Sequence, residues 1–263
     1  MLIYLTAAAA GFAVALVCAP VGVSGAVLLL PAQSSLLGLA GPSVSSTNLL
    51  FNVISTPGGL HTLRRTPGVT RAEVLTLVAV GVPAAVGGAL ARVTLLSDAD
   101  VFRLLVAAAM LPVAATLGWR LWRAQPSAPV AATTAGGRRL RALASLAVVT
   151  SFFGAAVGVG GGSLLAPALV AATGRSPQQA APLALLATLT TSLTGLGAYS
   201  ALEAVDVGAR PASPEWLIGT VTGLGGLAGS RVGAGLQAQL NERVLTGLLA
   251  CLVTAVAVAQ LVR

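Results

Sequence analysis

Charge is scarce in this 263-residue chain. Only 8% of its residues are charged, against about 25% in an ordinary soluble domain, so no water-facing surface can be assembled from it. Lysine is missing altogether, and the 15 basic residues are all arginine. The carboxylates, Glu73, Asp98, Asp100, Glu203, Asp206, Glu215 and Glu242, all stand at the ends of apolar stretches or between them. A carrier of metal or organic cations is expected to keep an acid inside the membrane, because ionisable groups buried there mark ion paths. Their absence from the apolar stretches favours an anion or a neutral solute. With one histidine, His61, and two cysteines, Cys18 and Cys251, the sequence has no Cys/His cluster at metal-ligand spacing and no Ser-His-Asp arrangement. No metal, no cofactor and no enzymatic centre are expected. Both cysteines lie in apolar segments, where the residue acts as a small hydrophobe.

Apolar sequence is what the chain does have: 56% of it is hydrophobic and the mean hydropathy is +0.91. A helix needs about 20 apolar residues to cross a bilayer core. Candidate blocks fall at 2–30, 44–63, 73–92, 101–122, 141–172, 178–202, 215–236 and 243–262, and the first and fifth are too long for one plain crossing. The prediction is an all-α polytopic membrane protein in a lipid bilayer. The N-terminal run resembles a signal-peptide core but lacks a preceding basic residue, so it is read as a retained first helix. The net charge of +8 does not imply nucleic acid, because the arginines form no patch interleaved with aromatics. They cluster between apolar blocks, and Arg64, Arg65, Arg71, Arg120, Arg123, Arg138, Arg139 and Arg141 mark the cytoplasmic side.

The one long polar break, AQPSAPVAATTAGG at 124–137, reads as a flexible connection. It predicts a first transmembrane repeat over 1–123, a cytoplasmic linker over 124–140 and a second repeat over 141–263. Sliding one half over the other by 136 residues superposes Val21 to Pro31 on Val157 to Pro167, and Asn52, Ser55, Thr56 and Gly59 on Thr188, Thr191, Ser192 and Gly195. If the long first block crosses once, each half has four crossings and the repeats are parallel; if it crosses twice, each has five and they are inverted. The positive-inside rule leans to inversion. So do the matched loops, basic at Arg64 to Arg71 and acidic around Glu203, Asp206 and Glu215.

Gly22 and Gly25, and Gly158, Gly160, Gly161 and Gly162, cluster inside hydrophobic stretches, each followed by an apolar run ending in proline. Backbone broken at membrane depth is tolerated only where protein or a watery cavity satisfies it, and matched interruptions in two halves point to a transporter site. The same glycines would also serve close helix packing. Helices starting at Ala26 and Ser163 would turn free N–H groups and a positive dipole end toward the midplane, which attracts an anion. Ser24 and Ser163 add hydroxyls beside Gly25 and Gly160–Gly162. A polar stripe of Thr47, Asn48, Asn52, Ser55 and Thr56 in the first half, and Thr188, Thr191 and Ser192 in the second, completes a candidate substrate site. Interhelical hydrogen bonding is the competing use of these side chains. His61, beside the basic loop, is an interfacial residue or a proton or anion relay. Arg92 and Arg231, at matching block ends, are read as snorkelling to the interface, with guidance of anions as the alternative.

At these residues the chain resembles the sulfite exporter TauE/SafE (TSUP) family of membrane permeases. The carrying segments are VGVGGGSLLAPAL at 157–169, its degenerate copy VGVSGAVLLLPA at 21–32, and STNLLFNVISTPGGLHTLRR at 46–65. The resemblance implies secondary transport, by alternating access, of a small sulfur-containing anion such as sulfite or sulfoacetate, with related sulfonates or carboxylates as further candidates. The first copy departs from the glycine-rich pattern, having Ser24 and Ala26 where the second has Gly160 and Gly162. The residues alone also accommodate an anion channel or a non-transporting membrane scaffold, and a homodimer as the assembly.

Overall fold

The computed structural model describes residues 2–29, 41–63, 69–95, 114–115, 118–119, 122, 136–208 and 211–261. The 101–122 block and residues 124–135 of the linker therefore fall largely or wholly outside the described residues. Among the described residues the chain is all helical. Helix α1 spans Leu2–Cys18 and runs into a 3-10 turn at Ala19–Val21; α2 spans Pro42–Leu63, α3 Arg71–Thr94, α4 Gly136–Val157, α5 Gly161–Thr173, α6 Pro177–Ala204, α7 Trp216–Leu236 and α8 Glu242–Leu261. Helix α4 starts within the segment read as linker.

Local chemistry sets several of these boundaries. Thr70 and Glu73 form a reciprocal capping box at the start of α3, with Glu73 N–H donating to Thr70 Oγ1 and Thr70 N–H to Glu73 Oε2. Ser176 and Gln179 do the same for α6, whose first residue, Pro177, needs no N–H partner. Gly174, left-handed at φ 74°, ends α5. The segments Ile3–Val21, Arg71–Thr94, Gly137–Val157 and Pro177–Ala204 are long and apolar enough to cross a membrane, and many large apolar side chains, Leu5, Leu75, Leu90 and Leu217 among them, point outward, as lipid contact requires.

Glycine decides which helices touch. A Cβ on Gly225, Gly229 or Gly233 of α7 would come within 2.0, 2.1 and 2.3 Å of the carbonyl oxygens of Ala8, Phe12 and Leu16 of α1. The ordered sequence of these contacts shows that α1 and α7 run side by side in one direction. Helix α7 also follows α2 in the same sense, with Gly219 against Leu50, Gly223 against Ile54 and Gly226 against Ser55. Helices α3 and α4 are likewise parallel, joined near their starts by Glu73 and Arg139, 3.0 Å apart, and later by Gly88 against the Phe152 carbonyl. Helices α2 and α6 are antiparallel: Leu49 meets Gly195 and Gly59 meets Leu185. Two packed groups result, α1 with α2 and α7, and α3 with α4, α5 and α6, in contact chiefly along α2 and α6.

Candidate functional site

Two irregular segments meet where α2 and α6 face each other. The first block leaves its helix at Cys18, turns through Gly22 at φ 75° and resumes helical structure at residues 26–29. The fifth block is interrupted between α4 and α5 by Gly158 and Gly160, at φ 83° and 75°. Those angles favour glycine, and space enforces the choice: a Cβ on Gly158 would lie 2.4 Å from Ser45 Cα, and one on Gly160 2.7 Å from Thr188 Cγ2. Gly22 in turn abuts Ala181 Cα. The pair Gly22–Ala181 thus repeats the pair Gly158–Ser45, each residue shifted by 136 positions.

The carbonyls released at these turns find specific partners. Ser45 Oγ donates to the oxygens of Ala156 and Val157, the Tyr199 hydroxyl donates to those of Ala155 and Ala156, and Gln237 Nε2 donates to that of Pro20 at 2.6 Å. Sequence reasoning missed Tyr199 and Gln237, since nothing in the pattern around them signals a backbone partner.

The two segments are tied to one another and to α2. Ser24 N–H donates to Ser163 Oγ at 3.1 Å, and Ser163 Oγ donates to the Val159 carbonyl. Ser24 Oγ accepts from Ala26 N–H, capping residues 26–29, and donates to Asn52 Oδ1. With Oδ1 taken as the acceptor, Asn52 Nδ2 is left as a donor. It faces Gly160, where an added Cβ would lie 3.1 Å from it and 3.2 Å from Ser192 Oγ. A Cβ on Gly162 would lie 2.3 Å from Thr188 Oγ1. Asn48 stands one turn before Asn52 on the same face of α2.

Asn48, Asn52, Thr188 and Ser192 are completely buried, and Asn48 Nδ2 and Oδ1, Asn52 Nδ2, Thr188 Oγ1 and Ser192 Oγ have no hydrogen-bond partner among the described residues. A buried polar group left unsatisfied costs about 1–3 kcal/mol, so the Asn52, Thr188 and Ser192 atoms gathered around Gly160, and those of Asn48 one turn along α2, are costly to leave without a partner. Helix α5 starts here, with Gly161 as its first residue; first-turn amides lack an acceptor one full turn back, Ser163 N–H turns to the Gly160 carbonyl at 3.3 Å, and the positive end of the dipole points the same way. Asn52 and Thr188 lie near the middles of α2 and α6, so the cluster is at mid-length of the bundle.

The other sequence-predicted residues divide. Ser24, Gly25 and Ser163 belong to the segments that frame the cluster, and Gly160, Gly161 and Gly162 form its floor. Thr191 Oγ1 is engaged, donating to Ser151 Oγ at 3.1 Å. Ser55 faces α7, where its carbonyl accepts from Ser230 Oγ. Thr47 Oγ1 donates back to the Ser43 carbonyl and accepts from Glu215 N–H. Thr56 is buried one turn beyond Asn52, and His61 is exposed in the last turn of α2, away from the cluster. The matched arginines differ. Arg231 is exposed, as snorkelling requires. Arg92 is only 7% exposed, lies within electrostatic reach of Tyr199, and is followed by Val93 of a buried cluster with Ala89, Tyr199 and Ala212. The snorkelling expectation fails for Arg92, because α6 covers that end of α3.

Charge is buried at one end of the bundle as well. Glu73, 2% exposed, pairs with Arg175, which is 6% exposed, and with Arg139. The pairing was not legible in the sequence, where Arg175 sits alone between two apolar blocks.

A search of curated proteins and one of solved structures found no match. The model of the sulfite exporter TauE/SafE family, however, matches residues 7–259. That span includes every element of the cluster. With its apolar helices and this match, the chain is a multi-pass membrane protein that belongs to the sulfite exporter TauE/SafE family of transporters.

Proposed function

We propose that the chain is a secondary carrier that exports a small sulfur-containing anion, sulfite or sulfoacetate, across the bacterial plasma membrane by alternating access. The observation that carries this reading is the set of unpartnered buried atoms on Asn48, Asn52, Thr188 and Ser192 at the start of α5. An oxyanion presents several acceptor oxygens, and the cluster offers amide and hydroxyl donors with first-turn N–H groups. Asn52 and Asn48 orient the anion from α2, Thr188 and Ser192 from α6, and the N–H groups of Gly161 and Gly162, between the engaged amides of Gly160 and Ser163, take its charge.

The reading includes two glycine-broken, inverted repeats, 1–123 and 141–263, joined by a cytoplasmic linker over 124–140. Support comes from the duplicated Gly22–Ala181 and Gly158–Ser45 contacts and from α2 running antiparallel to its counterpart α6. Such an arrangement is what an in-plane two-fold relation would give, with both breaks brought to a common midplane site. The rocking bodies are not the sequence halves: α7 is locked to α1 and α2 by backbone-to-glycine contacts, and α3 to α4. Each body therefore borrows one helix from the other half.

Sulfite flux in proteoliposomes tests the site. Asn48→Ala and Asn52→Ala each lower flux at least about tenfold, the loss of one charge-assisted hydrogen bond. Unchanged flux in both would remove the proposed site. Counterflow separates a carrier from a channel, since only a carrier accelerates labelled efflux when unlabelled substrate waits on the other side.

A further inference from the structure

Asn48 asks more of its guest than charge. Both polar atoms of its amide are buried and unpartnered, and an amide presents one acceptor however it is turned. A fully deprotonated oxyanion satisfies the Nδ2 donor and leaves Oδ1 facing lone pairs. Within the anion-site reading, on which this rests, we infer that the species bound is the protonated monoanion, hydrogensulfite, its O–H donating to Asn48 Oδ1. Its remaining oxygens accept from Asn52 Nδ2, Thr188 Oγ1, Ser192 Oγ and the first amides of α5. Asn52 Oδ1 already accepts from Ser24, so Asn48 Oδ1 is the acceptor left wholly unpartnered on α2.

The donors that face the cluster are neutral: two amides, two hydroxyls and backbone N–H groups. No titratable side chain is among the nearest contacts at Gly160, Gly161 or Gly162. Cys18 is at the end of α1 beside the first turn, His61 is exposed at the end of α2, and Glu73, Arg139 and Arg175 pair with one another at one end of the bundle. Tyr199 is bonded to the Ala155 and Ala156 carbonyls, Arg92 is buried in the last turn of α3 within electrostatic reach of Tyr199, Glu203 lies near the end of α6 and Arg231 is exposed on α7. Neutral donors offset one negative charge far better than two, since the cost of desolvating an ion grows with the square of its charge. Asn48 is thus a specificity-determining residue, and each substrate carries its own proton through a site that holds no acid to carry it.

The experiment is a pH series of binding to the purified full chain, by calorimetry, with sulfite and with methanesulfonate, a permanent monoanion that has no O–H. Sulfite loses its second proton near neutral pH. Its apparent affinity is expected to be constant below that ionisation and to fall about tenfold for each pH unit above it, as proton linkage requires. Methanesulfonate should bind about tenfold more weakly at acidic pH, the worth of one unmade hydrogen bond, with no pH trend. Asn48→Leu and Asn48→Ala should erase the advantage of sulfite, leaving both ligands alike. Sulfite affinity that holds or rises with pH, or methanesulfonate binding as tightly as sulfite to the unaltered chain, overturns the assignment. Binding of neither anion at any pH removes the anion site itself, and this inference with it.

Discussion

The backbone N–H of Ser24 donates to Oγ of Ser163 across 3.1 Å, joining the two irregular segments at one point although 139 residues separate them in the chain. Ser24 also holds the amide of Asn52 in one orientation. The half without the glycine-rich pattern thus supplies a side chain that fixes the Asn52 amide.

Ser24→Ala tests that role. The variant keeps its backbone N–H bond to Ser163 but frees the Asn52 amide to turn over. Stability should fall by about 1 kcal/mol, with sulfite affinity about tenfold lower. Thermal melting and calorimetric titration measure the two effects separately, and an unchanged affinity would show that Ser24 does not orient Asn52.

Glycine substitutions should split by location. Gly162→Ala drives a Cβ to 1.7 Å from the Ala184 carbonyl, so α5 must shift, at a cost of about 2–3 kcal/mol or more. Gly235→Ala, on an exposed part of α7 with nothing within 4 Å, should be neutral or stabilising by up to about 1 kcal/mol. Melting temperatures of the two variants in one detergent make the comparison.

The Glu73 cluster predicts a non-additive pair. Glu73→Gln strands the buried Arg175 guanidinium and should cost about 3–5 kcal/mol. Combining Glu73→Leu with Arg175→Leu should restore much of the loss, because replacing both members of a buried pair with apolar groups is close to neutral. A double-mutant cycle on thermal stability gives the coupling.

The exchange of helices between halves can be followed with spin labels, in a Cys251→Ser background that leaves only the buried Cys18. Leu5 on α1, Leu217 on α7 and Leu90 on α3 are all exposed. The Leu5–Leu217 distance should stay fixed when substrate is added, since α1 and α7 share a body, while Leu5–Leu90 should change. Motion within the first pair would break the assignment of rigid bodies.

Much of this architecture was legible in the sequence, for a physical reason. Glycine clusters in apolar blocks and amides such as Asn48 and Asn52 at helical spacing are costly in a membrane, and each marks a place where the fold gains from it. Which helices neighbour which was not legible. Lipid-facing and protein-facing surfaces of a membrane helix are both apolar, so polarity carries no information about partners. The information lay instead in the register of Gly225, Gly229 and Gly233, which becomes meaningful only when the backbone of α1 is seen against them. Likewise, Thr191 and Thr188 look equivalent in the chain, yet Ser151 engages the first and leaves the second facing the cluster.

On the proposed function, the unpartnered atoms between α2 and α6 bind an anion. Calorimetric titration of sulfite into the purified chain and into Asn52→Leu at mildly acidic pH tests it most directly. Saturable binding to the unaltered chain is expected, with at least about a tenfold weaker affinity in the variant. Equal affinity in a variant that melts as the parent does would contradict it.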